Sequence, residues 1–106
     1  MSDLKTAVTA SPVTRLHAVV RGRVQGVGFR YWTHHTAHGL KAITGGSVHN
    51  LPDGTIEVEA ESLEKPSLEA LLAELHTGPS AAEVEGVEAS WEENVPPRYH
   101  GAFQVA

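Results

Sequence analysis

"RLHAVVRGRVQGVGFRYWTHHTAHGL", Arg15 to Leu40, holds two periodicities joined by a glycine-rich seam. Up to Val20 the pattern alternates, with Leu16, Ala18 and Val20 on one side and His17 and Val19 on the other. Alternation with β-branched residues is the pattern of a half-buried strand. Beyond the seam, Phe29, Trp32, Thr33, Thr36, Ala37 and Leu40 recur at i, i+3, i+4, i+7, i+8 and i+11. That spacing makes the apolar stripe of a helix lying on a sheet. Residues 15–40 therefore read as strand, loop and helix, with Gly39 and Gly45–Gly46 bracketing the helix exit.

Working outward, "SVHNLPDGTIEVEAE" has turn chemistry at Pro52-Asp53-Gly54. Proline presets φ, the aspartate bonds local backbone, and glycine tolerates positive φ. Beyond it Ile56, Val58 and Ala60 alternate with Glu57, Glu59 and Glu61, one face buried and one wet. The spacing predicts a hairpin of strands 47–51 and 55–61. "KPSLEALLAELHTGP" carries the stripe Leu68, Leu71, Leu72 and Leu75 and stops at Gly78-Pro79, a second helix. "AAEVEGVEASWEE" alternates again, and "GAFQVA" fits a short fifth strand at an edge. The order β-α-β-β-α-β is the ferredoxin-like split βαβ: an α+β sandwich with an antiparallel sheet and both helices on one face. That fold does not specify an activity.

The chain has 106 residues, enough for one domain. Residues 14–106 are expected to form it, behind a disordered N-terminal tail over residues 1–13. There is no cysteine, which removes disulfides, thiolate metal sites and cysteine nucleophiles. No apolar run approaches the roughly 20 residues that cross a membrane. The N-terminus lacks a secretory pattern, so a soluble, cytoplasmic protein is expected. The net charge of −5 hides an asymmetry. Residues 1–52 carry a net +5 and residues 53–106 a net −10, with Arg21, Arg23 and Arg30 clustered around the seam. An acidic protein that gathers arginine in one loop suits a small anion; a long nucleic acid needs a wider basic surface.

The seam suits the same ligand. It opens a helix, where backbone N–H groups lack partners and the dipole is positive. Gly22, Gly26 and Gly28 permit positive φ and close approach, so successive N–H groups can form an anion nest. Arg30, in the first helical turn, can hold two oxygens of a phosphate. The bland alternative is a flexible connection with an exposed arginine, but three glycines in seven positions exceed what a turn needs. The spacing is neither a Walker loop nor a dinucleotide fingerprint.

"GRVQGVGFR", Gly22 to Arg30, resembles at every position the signature loop of the acylphosphatases. Val48-His49-Asn50 followed by Leu51-Pro52-Asp53-Gly54 resembles the family's V-x-N and x-x-D-G segment, and the likeness spans residues 16–105. The resemblance implies hydrolysis of acyl phosphates to a carboxylate and inorganic phosphate, with no metal, no cofactor and no covalent intermediate. By that resemblance the catalytic residues are Arg30, which binds the phosphate, and Asn50, which positions water. The substrate cradle is Gly22, Arg23, Val24, Gln25, Gly26, Val27 and Gly28, acting mainly through backbone N–H groups together with Arg30. The partners implied are a small acyl phosphate and inorganic phosphate as product and inhibitor, for a monomer that binds neither nucleic acid nor membrane. Asn50 stands 20 positions after Arg30, a longer separation than the family usually has. Gly46-Ser47-Val48-His49-Asn50 replaces the family's G-W-V-R-N, and a flexible Gly45–Gly46 is expected to absorb the insertion. Without the family, Asn50 reads as a turn residue bonding its own backbone.

Other features carry less. His34 and His38 stand one turn apart and can chelate a metal, yet two histidines without an acidic partner, with His35 between them, read more simply as exposed helix residues. Arg21 and Arg23 can steer an anion or merely be solvated. Two competing classes remain: an RNA-binding ferredoxin-like domain and a non-catalytic phosphate or acyl-phosphate binder. The RNA-binding motif belongs on the third strand, where this chain has Glu57, Glu59 and Glu61.

Overall fold

The structure, a computed structural model, describes residues 11–106. The tail expected over 1–13 lies almost wholly outside the described residues, and Val13 already belongs to the first strand. The elements run β1 (Val13–Arg23), α1 (Phe29–Gly39), β2 (Ile43–Asn50), β3 (Ile56–Ser62), α2 (Lys65–Leu75), β4 (Glu83–Val95) and β5 (Phe103–Val105). They form one sheet in the order β4-β1-β3-β2-β5. Four strands pair antiparallel, as the split βαβ requires; β5 adds parallel to β2, so the sheet is mixed.

Alternation decides which face is covered. Leu16, Ala18 and Val20 of β1, Ile56, Val58 and Ala60 of β3, and Val48 of β2 are buried on the same side. Against them pack Phe29 and Ala37 of α1 and Leu68, Leu71 and Leu75 of α2. Both helical stripes therefore close on one face, and deleting any one of these large side chains is worth about 2–5 kcal/mol.

The other face is polar. At one end Arg15, which alternation places on the side of His17, is buried together with Glu61. Arg15 Nε donates to Glu61 Oε2 at 2.9 Å, Nη1 to Glu92 Oε1 at 2.8 Å and Nη2 to the Pro96 carbonyl at 2.8 Å. Residues 96–102 cross this end as a strap. The Glu61 carboxylate accepts the Arg98 N–H at 2.9 Å, and Glu59 accepts from Arg98 Nη1 at 2.8 Å and from the Tyr99 hydroxyl. At the other end Glu57 bridges His17 and His49, at 2.7 and 2.9 Å.

The strap corrects one expectation. Gly45 and Gly46 are not a flexible hinge at the helix exit: β2 begins at Ile43 and contains both. A Cβ on Gly45 would meet Tyr99 and Ala102, and one on Gly46 would run into the Glu59 carbonyl and the Phe103 ring. The glycines let the strap and β5 press onto the strand. β2 therefore starts four residues before the strand expected at 47–51, with a register shift between Ile43 and Gly45.

Candidate functional site

β1 and β2 each run antiparallel to β3, so they are parallel to one another and their C-terminal ends share one end of the sheet. The seam leaves β1 there, and Asn50 ends β2 there. Val24 is buried and Val27 packs on the core, which pins the seam between its glycines. Gln25 does more: its amide Nε2 donates to the Leu51 carbonyl at 2.8 Å and to the Thr55 carbonyl at 2.9 Å. The seam is thereby fastened to the turn that follows Asn50. Composition offered no sign of this, because the partners are backbone atoms some 26 to 30 residues downstream.

Gly28 is the N-cap of α1, with φ 79° and ψ 14°, and Gly26 has φ 75°. Both conformations suit glycine. No side chain caps α1 and no acid stands in its first turn. The first intrahelical bond runs from Trp32 N to the Gly28 carbonyl at 3.0 Å. The N–H groups ahead of it have no helical acceptor, and they carry the positive end of the helix dipole. Such unpartnered N–H groups at a positive helix end are the donors an anion would meet. Two concavities, of about 100 and 330 Å³, lie elsewhere, the first against His38 and Phe103 and the second against Val13 and Pro97.

Arg30 lies in the first turn of α1. Its Nη1 donates to the Ala106 backbone oxygen at 2.6 Å, a contact the sequence reading missed. Ala106 is held in turn by its own N–H on the Val48 carbonyl at 3.0 Å. Ala106 thus links the arginine to the strand that carries Asn50. Thr33 Oγ1 returns to the Phe29 carbonyl at 2.9 Å and stiffens the same turn.

Asn50 is exposed, at the last position of β2, opposite Ile56. The turn beyond it is satisfied without its side chain. Asp53 Oδ1 accepts from the Thr55 N–H at 3.0 Å and from Thr55 Oγ1 at 2.6 Å, and Leu51 N donates to the Thr55 carbonyl at 2.9 Å. Asp53 does the local bonding that would otherwise explain an asparagine here. Those bonds hold its carboxyl below the usual aspartate range, the Thr55 hydroxyl being the larger cause.

Two residues of the expected cradle fall outside the loop. Gly22 and Arg23 belong to β1 rather than to the loop, which is confined to residues 24–28. A Cβ on Gly22 would strike the Glu83 carbonyl, and the β1–β4 register shifts between Arg21 and Gly22. That glycine serves strand approach. Arg23 Nε lies 3.5 Å from Glu83 Oε1 with both side chains largely exposed, a surface pair of little energetic weight. Arg21 lies over Gly86 of β4. Gln25 stays in the loop, with its side chain turned to the Asn50 turn. The structure thus brings together residues 24–28, Arg30 and Asn50, and leaves Arg21 and Arg23 against β4.

Comparison with known proteins agrees over nearly the whole domain. Residues 16–105 match the acylphosphatase family. The chain is 48% identical over 79 residues to an acylphosphatase of Thermus thermophilus, covering 74% of this chain and 86% of that one. It is 40% identical over 93 residues to an acylphosphatase of Chloroflexus aurantiacus, covering 88% and 96%. Its fold superposes on an acylphosphatase from Coxiella burnetii with a TM-score of 0.74 at 38% identity, covering 90% of this chain and 94% of that one. None of these likenesses favours an RNA-binding or non-catalytic reading. With the glycine-opened helix and Asn50 at one end of the same sheet, the chain belongs to the acylphosphatase family.

Proposed function

We propose that this chain hydrolyses acyl phosphates with the phosphoryl group held by the N–H groups of residues 24–28 and by Arg30, and with the attacking water positioned by Asn50. Family membership makes the chain a hydrolase acting on acyl phosphates. The observation that carries the residue assignment is the double hydrogen bond of Gln25, which fastens the anion-binding loop to the turn after Asn50.

The chemistry needs few groups. The carboxylate leaving group is the base of an acid of pKa about 4, so it departs without a proton from the protein. The protein's task is to balance charge on the phosphoryl oxygens and to place a nucleophile in line. N–H donors at a helix start and one guanidinium serve the first task without reorganisation. A neutral amide, with one acceptor and two donors, serves the second across the working pH range. Inorganic phosphate, sharing the oxygens of the substrate, is expected to compete for the same donors.

The protein is further proposed to act as a cytoplasmic monomer that does not bind nucleic acid. No helix among the described residues is long and apolar enough to cross a membrane. The open face of the sheet, where an RNA-binding relative of this topology would stack bases, presents Glu57 and Glu59, already engaged by His17 and His49 and by Arg98. The direct test is hydrolysis of a synthetic acyl phosphate in the presence of a chelator, with a phosphate monoester as control. Cleavage of the first alone is expected; cleavage of neither would overturn the catalytic reading.

A further inference from the structure

Arg30, His34 and His38 stand at i, i+4 and i+8, one stripe of α1, and all three face the edge formed by β5 and its approach. Arg30 meets Ala106. The His34 ring packs edge-on against Phe103 with centroids 5.8 Å apart. His38 lines the concavity of about 100 Å³ shared with Phe103, Thr44 and Gly101. The two imidazoles lie nearly parallel, 13° apart in plane, with centroids 6.5 Å apart. Both are exposed to solvent. Among the described residues neither takes part in an ion pair, unlike His17 and His49, which Glu57 occupies.

We propose that His34 and His38 form an auxiliary site for a divalent transition-metal ion, a clip across successive turns of α1 that plays no part in the chemistry. Side chains at i and i+4 meet on a helix surface, and the His34 ring packs against Phe103. A metal ion between the rings would take one nitrogen of each at the roughly 2.0–2.1 Å that imidazole–metal bonds require. Imidazole donors select copper, nickel and zinc over magnesium and calcium, with copper strongest. No group of three or more histidine, cysteine or acidic residues is poised to hold a metal among the described residues. Water therefore completes the coordination shell, and the ion stays exchangeable. Because the ion binds only where the helix is formed, it stabilises the folded chain by mass action. It does so in the helix whose first turn bears Arg30.

The test is calorimetric titration of the metal-free full chain with nickel, copper, zinc and magnesium chlorides, paired with thermal unfolding. One equivalent of nickel or copper is expected to bind and raise Tm, with magnesium inert. His34→Gln and His38→Gln are each expected to weaken nickel binding at least about tenfold, since the second imidazole no longer acts at high effective concentration. His35→Gln is expected to leave it unchanged. All three positions are exposed, so the variants fold. Absence of binding to the parent, or binding that survives His34→Gln and His38→Gln, would overturn the proposal.

Discussion

Gln25 Nε2 lies 2.8 Å from the Leu51 carbonyl and reaches the Thr55 carbonyl with its second hydrogen. One neutral amide thus holds the glycine loop of residues 24–28 at a fixed distance from the end of β2. Gln25→Ala removes two hydrogen bonds, each worth about 0.5–1.5 kcal/mol, while both carbonyls keep a backbone N–H donor. It also frees the loop from the Asn50 turn, so kcat is expected to fall as well as stability. Urea unfolding and steady-state kinetics on the same variant check both; a stability loss with unchanged kcat and KM would separate the loop anchor from catalysis.

Arg30 makes one hydrogen bond to the protein among the described residues, to Ala106, so its removal is expected to leave the fold intact. Arg30→Ala is expected to lower kcat/KM by about 10³-fold or more, the scale on which a guanidinium stabilises phosphoryl transfer. Inhibition by inorganic phosphate should disappear with it. Circular dichroism confirms folding and a phosphate inhibition series provides the check; inhibition persisting at the parent concentration would remove Arg30 from the cradle.

The Arg15–Glu61 pair lies far from the loop yet supports the sheet. Both side chains are at most 5% exposed, and the Glu61 carboxylate also accepts the Arg98 and Tyr99 N–H groups. Glu61→Ala strands a buried guanidinium and frees the strap, and a loss of about 3–5 kcal/mol is expected. Chemical denaturation measures it. A loss below about 1 kcal/mol would show that Glu92 and the Pro96 carbonyl suffice for Arg15.

The strap should respond to pH at both ends. Burial pushes the Glu59 carboxyl up, but the Tyr99 hydroxyl and the Arg98 charge outweigh it and hold it below the usual glutamate range. Burial, then the bond to Glu59, push the Tyr99 phenol above its usual range. A depressed carboxyl contributes stability above its unfolded value and loses it as pH falls through the folded one. A raised phenol contributes below its unfolded value and loses it as pH rises through the folded one. The urea midpoint is therefore expected to be flat between the ordinary glutamate and tyrosine ranges and to drop outside them. In Tyr99→Phe the alkaline drop should shrink; an unchanged alkaline limb would show that Tyr99 is not its source.

Much of this was legible in the chain. The period-two run to Val20, the helical stripe from Phe29 and the Pro52-Asp53-Gly54 turn are local signals, and each element formed where its pattern lay. The boundaries of β2 were not legible. Gly45–Gly46 reads as a breaker, and only distant neighbours explain glycines inside a strand: Tyr99 and Ala102 of the strap over Gly45, and the Glu59 carbonyl and the Phe103 ring beside Gly46. Arg15 likewise sits in an alternating pattern as an outward residue, and its burial depends on Glu61 and that same strap. At the site, Arg30 and Asn50 stood out through family resemblance. The bonds of Gln25 and Ala106 did not, because side-chain-to-backbone partners leave no trace in sequence.

The central claim is a division of labour, phosphate on Arg30 and the loop, water on Asn50. Parallel measurement of kcat and of the phosphate inhibition constant in Asn50→Ala tests it most directly. The account expects kcat to fall at least about 10²-fold, the scale of losing one preorganised polar group, while phosphate inhibits as in the parent. Turnover at the parent rate, or loss of phosphate inhibition together with turnover, would contradict it.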